Sequence, residues 1–241
     1  MQPNWLGWML ALVVCGIFWS WVRTPAHPSL KVVYLVPSDR TPREEFPEGA
    51  RRAVQSVQRW YFNRLGAQET FPLAGSLVET VQTRHPESWY SASAGKWDNR
   101  EALWDAAIDE AFNLTGGSYD DPAHVWLYFL DADLPRIPAQ GTSGVALLLR
   151  DDISNLLGLE PGCATIGTIA HELGHAFGLK HPPECETHEK PDSAPECESV
   201  SYLGGYEFPN SGFLPSEREQ LLQNRAFGFM TPQASAVQCS K

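Results

Sequence analysis

Three histidines and a glutamate in the sequence HELGHAFGLKH are residue types that bind and use a metal ion. On an α-helix, residues four apart lie on the same face, so His171 and His175 can direct their imidazoles at one point. Glu172 lies one position further round, where it can reach a water at that point but is badly placed to be a ligand. Gly178 can end the helix with a positive φ, which turns the chain and brings His181 back as the third ligand.

Three neutral imidazoles and one water form the open tetrahedral coordination of a catalytic zinc ion. Zinc lowers the pKa of its bound water towards about 7, and Glu172 can accept the proton of that water as a general base. The alternative is a buried helix whose histidines only satisfy hydrogen bonds in the core. The glycine and the third histidine at the required spacing favour the metal site. The sequence therefore predicts Zn²⁺ held by His171, His175 and His181.

The extended motif HExxHxxGxxH resembles the signature of the metzincin clan of zinc metallopeptidases, which also carry a methionine turn later in the chain. The resemblance is sharp over the motif and loose over the rest of the catalytic portion. It implies zinc, hydrolysis of peptide bonds, and a two-part catalytic domain with a cleft between the parts. The predicted fold class is α+β, with a mixed twisted sheet, a metal-binding helix and a small C-terminal subdomain.

The methionine turn that the resemblance implies is not clearly present. No methionine lies between His181 and Met230. The stretch VSYLGGY, where the turn is expected, offers Ser201 or Leu203, and a leucine can replace the volume of a methionine at little cost. We prefer Leu203 to Met230 for this position.

Five further polar residues near the motif are interpreted as structural. Some members of the clan use a tyrosine near the turn to stabilise the transition state, but Tyr202 and Tyr206 lack the usual spacing from a methionine. His188 lies in a polar loop, and a fourth histidine ligand would close the water position. Asp131 and Asp133 follow a strand, and two carboxylates are too few to predict a calcium site.

The composition describes an ordinary globular protein, with 43% hydrophobic and 20% charged residues. The net charge of −11, without a run of basic residues, excludes nucleic acid as a partner. A peptide or protein is the predicted substrate of a zinc endopeptidase, and the oligomeric state is not indicated. Two alternatives remain: a zinc amidase acting on a non-protein amide such as a cell-wall cross-link, and a non-catalytic binding module stabilised by zinc. A non-catalytic binding module would have no use for Glu172 or for an open coordination position on the zinc ion.

An uncharged apolar run, Trp5 to Val22, is just long enough to span a membrane. Tryptophans near both of its ends are typical of the membrane interface. A cleaved signal peptide is the alternative, although no basic residue precedes the run and it is longer than usual. Residues 1–23 are therefore predicted to be a membrane anchor or signal segment, and residues 24–30 a linker.

The cysteines indicate the compartment. Of the five, only Cys15 lies in the apolar run, and the others are Cys163, Cys185, Cys197 and Cys239. Cys185 and Cys197 flank a loop rich in Pro, Glu and Ser, which a disulfide would hold. Arg23 and Lys31 would keep their side of the membrane cytoplasmic by the positive-inside rule, but an even number of cysteines favours the opposite. We predict an extracytoplasmic catalytic domain that is membrane-anchored, or secreted if the first segment is cleaved.

Hydrophobic periodicity predicts strands and helices in alternation. The predicted strands are 31–36, 76–83, 124–130 and 144–149, and the predicted helices are 47–65, 100–114, 151–157, 163–177 and 216–224. The last helix is predicted to begin with Ser216 as N-cap and Glu219 three residues later. The resemblance implies that the strand 144–149 is the exposed edge to which an extended substrate adds, the alternative being a purely structural strand. Residues 31–181 would then form the upper catalytic subdomain and residues 182–241 the lower one.

Overall fold

The computed structural model describes residues 27–94, 100–134, 138–158, 161–187, 194–203 and 205–240. The predicted anchor, Trp5 to Val22, and the loop residue His188 lie outside these ranges. Among the described residues, no helix is both long enough and apolar enough to cross a membrane.

Five strands form a twisted sheet in which all neighbours but one are parallel. Their order is β3–β1–β4–β6–β5, and β5 runs antiparallel to β6. The central strands β1 and β4 are continuous apolar runs because both faces of a parallel sheet are covered. A second sheet pairs β2 with β7. The strands are β1 (Ser29–Val36), β2 (Glu69–Thr70), β3 (Leu73–Gln82), β4 (His124–Leu130), β5 (Gln140–Thr142), β6 (Val145–Leu148) and β7 (Gly228–Phe229).

Helices cover both faces of the large sheet, and alternate residues of β1 point to opposite faces. Leu30, Val32 and Tyr34 belong to the core between the sheet, α1 and α5, whereas Val33 and Leu35 belong to the core beneath α2 and α3. The helices are α1 (Phe46–Arg64), α2 (Glu87–Ala94), α3 (Arg100–Thr115), α4 (Arg150–Asn155), α5 (Cys163–Ala176), α6 (Pro183–Glu186) and α7 (Pro215–Gln223). Helix α5 carries the HExxH motif and lies against α1, where the Tyr61 hydroxyl donates to the Ala170 carbonyl at 2.8 Å.

The edge strand differs from the prediction. The strand predicted at 144–149 is observed as β6, and it lies between β4 and β5, so it is not an edge. The short strand β5 occupies the edge, joined to β6 by a tight turn at Ser143 and Gly144. Sequence analysis missed β5 because QGT contains no apolar residue, and periodicity therefore gives no signal.

The start of α7 also differs from the prediction. Pro215 takes the first helical position, which suits its fixed φ, and the N-cap is Leu214 instead of Ser216. Glu217, not Glu219, returns to the helix start and accepts a hydrogen bond from the Leu214 N–H at 2.7 Å. The predicted cap was two residues late because Pro215 was not used as the helix-start signal.

The segment after residue 182 packs onto the same core as the sheet. Phe208, Leu221 and Phe227 are buried in the core that contains α1 and α5. The chain then runs along α1, where Arg59 donates to the Ala234 carbonyl at 2.6 Å. It ends beside the start of α5, where the Cys163 N–H donates to the Ser240 carbonyl at 2.8 Å.

Two disulfides tie this segment to the catalytic helix and to itself. The predicted bond between Cys185 and Cys197 is confirmed. A second bond joins Cys163, the first residue of α5, to Cys239 across 76 residues of sequence. Structural disulfides of this kind are typical of proteins that fold in an oxidising compartment, which favours an extracellular or secreted domain.

Candidate metal centre

The chain turn after α5 has the geometry that the motif predicted. Helix α5 ends at Ala176, and Gly178 has a φ of +93°. The Gly178 N–H donates to the His175 carbonyl at 2.8 Å, and the Leu179 N–H donates to the Gly174 carbonyl at 2.9 Å. These bonds close the helix end and send the chain back towards the helix, because a left-handed residue reverses its direction there.

The three histidines of the motif converge on one point. The Nε2 atom of His175 lies 3.0 Å from Nε2 of His171 and 3.1 Å from Nε2 of His181, and the remaining pair is 3.4 Å apart. A tetrahedral zinc ion with bonds of about 2.0–2.1 Å holds its ligand nitrogens roughly 3.3 Å apart. The three ring nitrogens therefore have the spacing of a metal-binding triad.

The other ring nitrogens decide what these atoms can do. Nδ1 of His171 lies 2.7 Å from the Val200 carbonyl oxygen, and Nδ1 of His175 lies 2.9 Å from the Leu179 carbonyl oxygen. A carbonyl only accepts, so each Nδ1 carries the hydrogen and each Nε2 presents a lone pair. Nδ1 of His181 lies 2.8 Å from an oxygen of Glu186, and a carboxylate likewise accepts. Three lone pairs that face one another fit a shared cation, and the residues present therefore suit a bound metal ion.

The surroundings keep two of the imidazoles neutral. Burial and, to a lesser extent, the neighbouring His175 lower the pKa of His171 to about 4. Burial likewise lowers the pKa of His175, partly offset by its hydrogen bond to the Leu179 carbonyl. Only the neutral imidazole offers the lone pair that a metal requires, so burial prepares both side chains as ligands.

Glu172 lies beside the triad in a protected position. Its residue is 6% exposed, and burial raises the pKa of its carboxyl to about 8, with a smaller contribution from the nearby Asp152 carboxylate. A carboxyl with a pKa near neutrality exchanges protons readily at physiological pH. The predicted catalytic base thus stands next to the triad in an environment suited to proton transfer.

A turn centred on Val200 contacts the triad, at the place where the methionine turn was expected. The Val200 carbonyl accepts from His171, while Ser201 is fully buried. Leu203 is half-buried and lines a different cavity, together with residues such as Pro195 and Glu198, so the preference for Leu203 beneath the imidazoles is not supported. Met230 directly follows β7 in the small sheet.

Three residues with contacts at this centre were missed by sequence analysis. Val200 holds His171 through its backbone, which leaves no trace in the residue type. Glu186 contacts His181 from α6, directly after the disulfide-bonded Cys185. Glu217 accepts from Ser201 and lies behind the Val200 turn. Its signal was available, since a proline followed two residues later by a glutamate marks the first turn of a helix.

Of the remaining polar candidates, Tyr202 and Asp131 have structural partners, whereas Tyr206 is exposed. The Tyr202 ring packs edge-on against His181 with ring centroids 5.4 Å apart, and its hydroxyl donates to the Cys185 carbonyl at 3.2 Å. Tyr206 is 81% exposed. Asp131 accepts from Tyr34 at 2.6 Å and from Arg150 at 2.8 Å, which leaves its carboxylate engaged in the core.

Two cavities meet the triad from different sides. One, of about 420 Å³, is lined by His171, Glu172 and His181 and will be called the Glu172-side cavity. The other, of about 890 Å³, is lined by His175, Gly141 and His181 and will be called the His175-side cavity. The three histidines therefore lie between two cavities.

The edge strand β5 lies directly on α5. A side-chain carbon added to Gly141 would be 2.4 Å from the Glu172 carbonyl oxygen and 2.8 Å from Cβ of His175. Only a residue without a side chain allows this approach of strand to helix. The outer edge of the sheet therefore runs beside the residues of the metal centre.

No protein-family model and no curated protein matches this sequence. Among solved structures, OgpA from Akkermansia muciniphila matches with a TM-score of 0.57 and 18% sequence identity, over 88% of this chain and 64% of that chain. A catalytically inactive form of OgpA, in complex with an O-glycopeptide substrate, glycodrosocin, matches with a TM-score of 0.56 and 17% identity over the same shares. Archaemetzincin from Methanopyrus kandleri matches more weakly, with a TM-score of 0.43 and 20% identity, over 84% of this chain and 98% of that chain.

The likeness to OgpA establishes the fold. This chain spans less than two thirds of the length of OgpA, and identity below one residue in five shows a shared architecture alone. The predicted fold class is confirmed: an α+β domain with a mixed, mostly parallel sheet behind α5, the helix that carries the HExxH motif. The three converging histidines indicate a metal centre within this shared architecture.

Proposed function

We propose that this chain is a zinc endopeptidase in which His171, His175 and His181 hold the metal and Glu172 is the catalytic base. The observation that carries the proposal is the convergence of three Nε2 lone pairs, within 3.4 Å of one another, beside a buried glutamate. A structural zinc site is closed by four protein ligands, whereas three ligands leave a position for water or substrate.

The residues of the chain have distinct roles in this reaction. A zinc ion held by the triad supplies Lewis acidity and a water of lowered pKa. Glu172 accepts a proton from the attacking water and then delivers it to the nitrogen of the leaving amine. Burial raises the pKa of the Glu172 carboxyl to about 8 in the metal-free chain, and a bound cation would favour its ionised form, which is the form that accepts a proton. The carbonyl oxygens of Val200 and Leu179 keep two of the imidazoles in the required tautomer.

Space on both sides of the triad supports cleavage within a chain rather than at its end. The Glu172-side and His175-side cavities can take the residues before and after the scissile bond. The outer edge of β5 is placed to pair with an extended peptide as one more strand, the role that sequence analysis had given to β6. Backbone pairing of this kind recognises an extended peptide irrespective of most side chains.

The proposal is tested with the native protein and with Glu172→Gln and Glu172→Ala. All three are expected to bind one zinc ion per chain, since Glu172 is not a ligand. Both variants are expected to cleave peptides at least about 100-fold more slowly, because they lack the general base. Bound metal is measured by mass spectrometry of the protein, and cleavage by a mixed peptide library. Undiminished cleavage by a folded Glu172→Ala protein would refute the assigned role.

A second candidate is cleavage next to a glycosylated residue. The observation that favours it is the lining of the Glu172-side cavity, which includes Arg100, Arg150 and Asp151 together with Tyr202 and Tyr206. Charged groups that hydrogen-bond hydroxyls and aromatic rings that cover the faces of a sugar are the usual partners of a glycan. OgpA, which shares this fold, was captured with an O-glycopeptide.

The two candidates separate in one comparison. Peptides of the same sequence are offered with and without an O-linked sugar on the residue next to the scissile bond. Faster cleavage of the bare peptide supports a general endopeptidase. Cleavage that requires the sugar supports the second candidate.

We further propose that the catalytic domain acts outside the cytoplasm, held to a membrane by residues 5–22 or released by their cleavage. The two disulfides support an oxidising compartment. Fractionation of producing cells, followed by N-terminal sequencing of the mature protein, tests both parts of this proposal.

A further inference from the structure

A buried carboxylate lies behind the turn that contacts the metal centre. Glu217, on the first turn of α7, is 6% exposed. Its Oε2 accepts from the Ser199 hydroxyl at 2.5 Å and from the Leu214 N–H at 2.7 Å, and its Oε1 accepts from the Ser201 hydroxyl. A buried carboxylate is stable only when its oxygens are hydrogen-bonded, and these three donors meet that need.

The two serines flank the residue that holds a histidine of the triad. Ser199 and Ser201 are 3% and 0% exposed, and Val200 lies between them with its carbonyl 2.7 Å from Nδ1 of His171. Hydrogen bonds and the short stretch of backbone between Ser199 and Ser201 thus connect the Glu217 carboxylate to the ring of His171. A shift of the serines would move the carbonyl that sets the tautomer and the direction of that ring.

The contacts exceed what a helix cap requires. A capping glutamate needs one oxygen for the N–H at the helix start, and Glu217 meets that need with Oε2 on Leu214. The other oxygen, Oε1, accepts a hydrogen bond from Ser201, and Oε2 also accepts one from Ser199. Hydrogen bonds to a charged acceptor are about twice as strong as neutral ones, so they fix the turn more firmly than the backbone alone.

We propose that Glu217 is a positioning residue of the metal centre, which fixes the Val200 turn through Ser199 and Ser201 and thereby orients His171. The hydrogen bonds of Glu217 with the two serines would then support the metal centre, as the methionine turn implied by the resemblance would. The inference rests on the metal-binding part of the proposed function, namely that His171 is a ligand. Partners of ligating histidines that lie behind the ligands affect metal affinity by about 10–100-fold.

The experiment compares the full native chain with Glu217→Gln and with Glu219→Gln as the matched control. Both substitutions remove one charge from α7, but Glu219 is exposed, and its hydrogen-bond partner among the described residues is Gln223 of the same helix. Zinc affinity is measured by competition with a chromophoric chelator. The visible absorption of the cobalt(II)-loaded protein reports the geometry of the ligands, which a merely structural role would not alter.

Support for the proposal requires two results together. Glu217→Gln should bind zinc about 10–100-fold more weakly than the native chain and show a changed cobalt spectrum, while Glu219→Gln matches the native chain in both. An unchanged zinc affinity and cobalt spectrum in a folded Glu217→Gln protein would overturn the proposal and leave Glu217 as a helix cap.

A second variant covers the case in which Glu217→Gln does not fold. Ser201→Ala removes a single hydroxyl donor and retains the cap at Leu214, so the fold is expected to persist. It should weaken zinc binding several-fold and shift the cobalt spectrum in the same direction. Native zinc affinity and a native spectrum in Ser201→Ala would overturn the proposal on its own.

These experiments distinguish a failure of metal binding from a failure of catalysis. A native chain that binds zinc but cleaves no peptide would contradict the proposed function, while the affinity and spectrum of the variants would still decide the role of Glu217. A native chain that binds no zinc or cobalt would overturn both.

Discussion

Each histidine of the triad is oriented by a different partner. His171 and His175 donate to backbone carbonyls, of Val200 and Leu179, whereas His181 donates to the side chain of Glu186. A carboxylate partner raises the basicity of the imidazole and fixes its ring direction, as carboxylate–histidine pairs do at zinc sites. Of the three histidines, His181 is the one that lies outside α5, so its position depends most on such a partner.

At this scale we predict a graded loss of metal affinity at Glu186. Glu186→Gln retains an acceptor oxygen but lacks the charge, and Glu186→Ala lacks both. Zinc affinity is therefore expected to fall in the order native, Gln, Ala, with a loss of about 10-fold for Ala. Chelator competition at fixed pH measures it. Equal affinities of all three proteins would show that the contact at 2.8 Å does not support the site.

Among the elements, the contact between β5 and α5 shapes the cleft. The strand can lie on the helix because Gly141 offers no side chain at a point 2.4 Å from the Glu172 carbonyl. The edge of the sheet and the proposed catalytic base, Glu172, are thus linked by direct backbone packing, and a change in one displaces the other.

We predict that Gly141→Ala separates these elements. The added methyl group cannot fit, so the variant should lose about 1–3 kcal/mol of unfolding free energy and at least 10-fold in peptide cleavage. Urea unfolding and initial rates provide the measurements. Gly75→Ala on β3 is the control, since no heavy atom lies within 4 Å of the added carbon there. Equal losses in the two variants would contradict the importance of this contact.

Ion pairs and a hydrogen bond at the end of β4 join three further elements. Asp131 accepts from Tyr34 on β1 and from Arg150 on α4, and Arg150 also contacts Glu87 on α2 at 2.9 Å. Burial alone would raise the pKa of Asp131, but hydrogen bonds from Tyr34, Arg150 and Arg43 hold it below its usual value of 3.8. The ionised carboxylate therefore stabilises the folded chain.

This network predicts an acid-dependent part of the stability. Because the folded pKa of Asp131 lies below 3.8, the stabilisation is present above about pH 4 and is lost as the pH falls through the folded pKa. Asp131→Asn should lower the unfolding free energy by about 3 kcal/mol at pH 7, and by progressively less as the pH falls from about 4 through the folded pKa of Asp131. Urea unfolding across this range is the measurement, with the exposed Asp133→Asn as control. A difference independent of pH would contradict the role of the charge.

At the scale of the whole molecule, the two disulfides close loops of very different length. Cys163–Cys239 closes 76 residues and joins the start of α5 to the C-terminal tail. Cys185–Cys197 closes 12 residues and borders Glu186, the partner of His181. The first restricts the unfolded chain as a whole, whereas the second restricts a loop next to the metal centre.

Removing each disulfide is predicted to have a different consequence. The double variant Cys163→Ser with Cys239→Ser should lose about 4 kcal/mol of unfolding free energy and keep its zinc affinity within a few-fold. Cys185→Ser with Cys197→Ser should lose about 3 kcal/mol and also bind zinc about 10-fold more weakly, because Glu186 is released. Unfolding and chelator competition on both proteins test the contrast. The reverse pattern of zinc affinities would contradict it.

Much of the fold was readable from the sequence. The strand His124–Leu130 was predicted with its observed bounds, and the catalytic helix was predicted within one residue of its observed end at Ala176. The disulfide Cys185–Cys197 followed from two cysteines on either side of a loop without a core. Short elements such as β5 were missed, because a strand of three polar or small residues carries no periodic signal.

The sequence by itself predicted the chemistry of the candidate site, since the spacing of His171 and His175 on one helix, with Gly178 just after its end, is a local property of the chain. It could not determine what stands behind the ligands. Val200 and Glu186 contact the histidines from segments brought there by the tertiary fold, and Glu217 holds the serines on either side of Val200. These contacts depend on the positions of a backbone carbonyl and two carboxylates from distant parts of the chain. Local periodicity fixes which residues share a face of one helix, whereas only the packing of distant segments fixes which groups meet that face.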